Sequence, residues 1–241
     1  MMTALVVEIR KLNRSLALLL ALAAPSLIGI FAFFNISRFD QPGPWDQWLT
    51  TSVGIWAFFM LPMSVTALTA LVAQMEHAPR AWDHLRSLPV PRWRLYSAKM
   101  ACVLGLVVLM SVLNLAITYG AVELAAALKP AIRPTGQPDV AGTGWLLAKV
   151  LAAALLMIAI QFWTAMRFAS FVPALALGIG GTFFSVVATS AKQGVFFPWQ
   201  MPINMLATEA WRVQTSLGLG AGLGAVVLIL AVAHLSAREV R

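Results

Sequence analysis

The chain has 241 residues, of which 60% are hydrophobic and 11% charged, with a net charge of +8 and a single cysteine, Cys102. A soluble domain carries about 25% charged residues, so lipid is expected to cover much of this surface. The positive charge does not form a nucleic-acid surface, because it is parcelled into short clusters between apolar runs, and the lone cysteine allows no internal disulfide.

Charged residues are absent from six runs: 15–34, 47–75, 100–122, 150–166, 168–191 and 213–237. A spanning helix needs about 20 mostly apolar residues. The fourth run is the short one, extended by Trp145 and by Lys149, whose ammonium snorkels outward. The hydrocarbon offers bare backbone groups no partner, so each run is expected to be helical. None shows the alternation of a barrel strand. The expected fold is an all-α polytopic membrane protein in a single domain, 1–241. Its six transmembrane helices fall at about 15–34, 49–74, 97–122, 146–166, 169–190 and 214–236.

Ahead of the first span, Leu5, Ile9 and Leu12 share one helical face and Glu8, Arg10, Lys11 and Arg14 lie elsewhere. This is the pattern of an N-terminal amphipathic helix on a membrane surface. Ala21-Leu22-Ala23 resembles a signal cleavage site, yet the apolar run continues to Phe34 and is long enough to span. Pro25 and Pro62 are expected to kink the first two spans. Pro173 sits near the start of the fifth, where it disrupts less.

The loop after the second span reads Glu76-His77-Ala78-Pro79-Arg80-Ala81-Trp82-Asp83-His84-Leu85-Arg86-Ser87-Leu88-Pro89. Pro79 suits the first turn of a helix and Pro89 ends it. Between them Ala78, Ala81, Trp82, Leu85 and Leu88 form one apolar face, and Arg80, Asp83, His84 and Arg86 point elsewhere. The segment reads either as an interfacial helix resting on lipid or as a docking helix for a soluble partner, for which Trp82 and the arginines are typical anchors. Its two histidines and two acids lack a third metal ligand, and no metal is expected.

Further along, Asn35, Asn114, Thr118 and Gln161 are weakly polar positions in or beside spans, suited to internal hydrogen bonds or to cargo. Phe196-Phe197-Pro198-Trp199 is expected to dip into the outer leaflet, and 203–211 to form a short surface helix. Gly218, Gly220, Gly222 and Gly224 allow close helix contact within one subunit or between two. With the N-terminus inside, eleven of the seventeen basic residues fall on the inner side, five of them in the loop 76–99. That bias places both termini in the cytoplasm.

Glu76-His77, Trp82, Leu85, Leu88-Pro89, Arg92, Tyr96 and Lys99 resemble the inner loop of type-2 ATP-binding-cassette (ABC) permeases, nearest to the membrane subunits of bacterial lantibiotic-immunity and bacitracin-resistance exporters. The outer stretch Phe197-Pro198-Trp199-Gln200-Met201-Pro202-Ile203-Asn204-Met205 continues the likeness. The resemblance implies that the inner-loop helix is a cytoplasmic coupling helix fitting a cleft on an ATPase subunit, with Glu76, His77, Arg80, Trp82, Asp83, Leu85, Arg86 and Leu88 as contacts. It implies that Phe197, Pro198, Trp199 and Pro202 belong to a re-entrant segment sealing the external side. It further implies two ABC ATPase copies, a second permease copy or a homologous permease, surrounding membrane lipid, and an amphipathic cargo such as a peptide antibiotic or a lipid-like molecule. Other permeases of the class export polysaccharide, haem or lipid.

The chain has no G-x-x-x-x-G-K-[ST], no H-E-x-x-H and no G-x-S-x-G. It is therefore expected to be no enzyme and to hold no cofactor, with ATP and Mg on the partner subunit. No ionisable group lies clearly at mid-membrane, which counts against proton-coupled transport. The expected function is the membrane subunit of an ATP-driven exporter in a bacterial cytoplasmic membrane. The alternative is a non-transporting scaffold or sensor that recruits a cytoplasmic partner.

Overall fold

The computed structural model describes residues 2–77, 91–189 and 191–237. The described residues form helices without strands: α1 (Met2–Leu12), α2 (Leu16–Ser37), α3 (Trp45–His77), α4 (Arg92–Leu128), α5 (Val140–Arg167), α6 (Val172–Ala188) and α7 (Ala210–Ala237). Five of these, α2, α3, α4, α5 and α7, are long and apolar enough to cross a membrane. At a rise of about 1.5 Å per residue, the 17 residues of α6 extend only about 25 Å, less than the roughly 30 Å of a hydrocarbon core. The short element is thus the fifth run and not the fourth, which became the 28-residue α5. α5 gains its length because Asp139 caps it, accepting a hydrogen bond from the Gly142 N–H at 2.8 Å, well before the uncharged run begins.

The helices alternate in direction, so the start of α2, the end of α3, the start of α4, the end of α5 and the end of α7 share one end of the bundle with α1. There the Gln74 amide donates to the Ala169 carbonyl at 3.2 Å. At the opposite end α3 and α4 outrun a bilayer, and their surplus turns pack on the loops. Ile36, Trp45, Leu49, Val122 and Ile132 make a second small core. The Thr135 N–H donates to the Gly43 carbonyl at 2.9 Å and stitches two loops together.

α3 is continuous but contains a π turn at Trp56–Met60. Pro62 brings no N–H, which frees a carbonyl one turn earlier, and the wider turn just before it absorbs the mismatch. It also aims Trp56 at α4. The Trp56 indole donates to the Ser111 hydroxyl at 3.0 Å, and the Asn114 amide donates to the Ser52 hydroxyl, itself 2.8 Å from the Thr118 hydroxyl. Asn114 and Thr118 therefore hold α4 to α3. Gln161 is also tied internally, donating to the Ala174 carbonyl at 2.6 Å.

On the faces away from the core, α2 exposes Leu19, Leu27, Phe31 and Phe34, α6 exposes Phe183 and Val187, and α7 exposes Ile229 and Leu230. Such stripes are stable in lipid and costly in water. Gly220 and Gly224, one turn apart, press α7 onto the backbone of α5, where a Cβ would meet Ala153 and Leu156. A Cβ on Gly218 or Gly222 would meet nothing within 4 Å. Two of the four glycines thus pack within this chain, and two lie on its open side.

Candidate functional site: an ion ring at the root of the loop after α3

The lead helix α1 does not turn all its charges outward, as its sequence pattern had suggested. Ile9 is 54% exposed, whereas Glu8 is 7% exposed and faces α4. On α4, Lys99 is 1% exposed, and on the last turn of α3, Glu76 is 2% exposed. The three meet with Lys11. The Lys99 ammonium lies 2.8 Å from Glu8 Oε2 and 2.7 Å from Glu76 Oε1. The Lys11 ammonium lies 3.0 Å from Glu8 Oε1 and 2.6 Å from Glu76 Oε1. Two ammoniums and two carboxylates thus alternate around a closed ring with no net charge.

Burial decides the energetics of this ring. An isolated buried charge costs several kcal/mol, and here each charge has two opposite neighbours at hydrogen-bond distance. Removing one member strands the others and costs about 3–5 kcal/mol, while exchanging the whole set for apolar residues can be neutral. The ring is therefore better understood as a fixed joint than as a net stabiliser. Burial favours the neutral amine at Lys11, but hydrogen bonds from it to Glu76 and Glu8 and the charges of both carboxylates outweigh that. Its pKa stands above the ordinary lysine value of 10.5.

Position gives the joint its importance. Glu76 is the penultimate residue of α3, and Lys99 lies in the second turn of α4. The chain between α3 and α4 therefore leaves and re-enters the bundle at residues bonded to each other and to α1. Of the positions expected to contact an ATPase, Glu76 and His77 sit here. Arg80, Trp82, Asp83, Leu85, Arg86 and Leu88 lie outside the described residues.

At the opposite end, the chain between α6 and α7 packs against the helices. A 3₁₀ turn at Lys192–Phe196 leads into Pro198, and another at Ile203–Leu206 leads out toward α7. The expected surface helix at 203–211 is not formed: Asn204 and Met205 are buried, and α7 starts at Ala210. Trp199 is 4% exposed and lies on Gly181, whose missing Cβ opens the seat, and its ring stacks on Phe197 at 5.5 Å. The Gln200 amide donates to the Ser185 carbonyl and the Thr189 hydroxyl, both at 2.8 Å. The Asn204 amide donates to the Ser216 hydroxyl at 3.0 Å. Pro202 is buried beside them. The segment folds back into the helical core rather than resting on it, and it is held by two buried amides that the aromatic pattern had not singled out.

The family model described as ABC-2 family transporter protein matches residues 4–188, from α1 to the end of α6. The chain belongs to the ABC-2 transporter family. Comparisons with curated proteins and with solved structures find no match. As an ABC-2 permease the chain is the membrane component of an ABC transporter, a class that works with an ABC ATPase and is typically non-catalytic itself. The match contains every residue of the ion ring.

Proposed function

We propose that this ABC-2 permease exports an amphipathic cargo, a peptide antibiotic or a lipid-like molecule, and that a separate ATPase docked on the loop 76–89 supplies the energy. The observation that carries this reading is the ion ring. A loop that transmits force needs rigid roots, and here both roots and the lead helix are locked at one buried point. On ATP-driven closure of the partner, a push on residues 78–90 would reach α3 through Glu76, α4 through Lys99 and α1 through Glu8 and Lys11. The three helices would then move as one body. ATP and Mg are held by the partner.

In this reading α6 serves as the sixth span, with the bilayer thinned or the flanking turns drawn in to meet its 17 residues. Both termini and the loop are cytoplasmic, as the basic-residue bias favours. The segment around Trp199 seals the outer side. Two permeases, identical or homologous, face two ATPase copies, in keeping with the prevalence of two-fold assemblies. The test is purification from native bacterial membranes in gentle detergent, with mass measurement of the intact particle and assay of its ATP hydrolysis. A particle of two permeases and two ATPases whose hydrolysis rises with cargo supports the proposal. A stable particle with one permease and no ATPase refutes it.

A further inference from the structure

Behind α1 lies a second feature with its own chemistry. A groove of about 450 Å³ runs between α1 and α4, walled by Leu5, Ile9 and Leu12 on one side and Cys102, Gly105 and Leu109 on the other. Its walls are almost wholly apolar. The same helix that commits Glu8 and Lys11 to the ion ring thus uses Leu5 and Ile9 to hold a cleft open. Asn13 and Leu18 also line the groove, and they flank the turn that joins α1 to α2. Arg14 occupies that turn, at φ 62°, between the lining residues Asn13 and Leu18, and is exposed. Arg10, next to the lining residue Ile9, is exposed as well.

We propose that this groove binds one acyl chain of an anionic phospholipid, with the headgroup held by Arg10 and Arg14. An apolar slot opening between a surface helix and a spanning helix is filled by a lipid tail more readily than by water, since it offers water almost no polar partner. The tail alone gives no selectivity, because the slot and the bilayer are equally apolar. Selection comes from the two arginines: each basic side chain near an anionic headgroup contributes about a fivefold preference. The bound lipid fills the groove between α1 and α4, beside the ion ring, and keeps the joint seated. Nothing in this inference depends on the cargo.

Native mass spectrometry of the full chain in detergent, with dioleoyl phosphatidylglycerol and dioleoyl phosphatidylcholine supplied equally, tests it. Wild type should retain the glycerol lipid in preference by about tenfold or more. The variant Arg10→Gln/Arg14→Gln should bind the two lipids equally. Gly105→Leu should lower retention of both, and it should remain folded because a Cβ at Gly105 meets nothing within 4 Å. The proposal is overturned if wild type shows no preference, if the double variant keeps it, or if Gly105→Leu leaves retention unchanged. A dimer that sheds lipid as it forms would also overturn it, by making a second copy of the chain the occupant.

Discussion

Glu76 Oε1 lies 2.7 Å from the Lys99 ammonium, joining the last turn of α3 to the second turn of α4 across the base of the loop between them. Each residue is also bonded to α1, through Lys11 and Glu8 respectively. Three helices meet at this contact.

Lys99→Met leaves two buried carboxylates facing Lys11 alone. It is expected to cost about 3–5 kcal/mol, the usual penalty for breaking a buried ion pair by removing one partner. Replacing all four members with Leu or Met should restore most of the stability but not the coupling. Thermal unfolding in detergent measures the first effect, and partner hydrolysis measures the second. Equal melting temperatures for Lys99→Met and wild type would mean that the ring is not a joint.

The raised pKa of Lys11 fixes a pH window. A lysine whose folded pKa lies above its unfolded value contributes stability that is fully present below the unfolded value and is lost as pH rises through the folded one. The contribution should therefore be constant at neutral pH and vanish only above the ordinary 10.5. Melting curves taken from pH 7 upward should show an alkaline drop in wild type that is smaller in Lys11→Met. An equal drop in both would assign it to other groups.

Much of this fold was legible in the chain because the bilayer imposes so simple a rule. An uncharged run of sufficient length becomes a helix, and α2, α3, α4, α5 and α7 follow it. The boundaries were less legible, since a cap such as Asp139 lies outside the apolar run it extends. The ion ring was hidden for a different reason. Glu8 and Lys11 sit where an amphipathic helix places solvated charges, and only tertiary packing reveals that Glu8 faces a lysine 91 residues away. The one signal was Lys99, the single charged residue inside the span expected at 97–122. Gln200 and Asn204 lie within the outer stretch that carries the resemblance, but the aromatic residues beside them give the louder pattern, although a buried amide in an apolar setting demands partners.

Gly220 and Gly222 should behave oppositely although they are two residues apart. Gly220→Leu drives a side chain into the α5 backbone at Ala153 and should cost about 1–3 kcal/mol or more. Gly222→Leu meets open space and should leave the monomer's stability unchanged. If Gly222→Leu instead destroys a two-permease particle, the open glycines mark the contact between copies. Detergent melting and particle mass separate these outcomes.

Orientation can be read chemically. In a Cys102→Ala background, a cysteine at Ala78 should resist a membrane-impermeant maleimide added to intact cells, and one at Gln137, exposed in the loop between α4 and α5, should react. The reverse pattern would invert the topology.

Purification of the permease from its native membrane as wild type and as Leu85→Asp, with the accompanying ABC ATPase quantified for each, tests whether the loop 76–89 carries the drive. Wild type should bring the ATPase down in stoichiometric amount. Leu85→Asp should insert and accumulate normally but arrive without it, because a buried apolar anchor is worth at least about 2 kcal/mol at an interface. Full ATPase retention by Leu85→Asp would make the loop an element that rests on lipid and rule out docking of the ATPase through it.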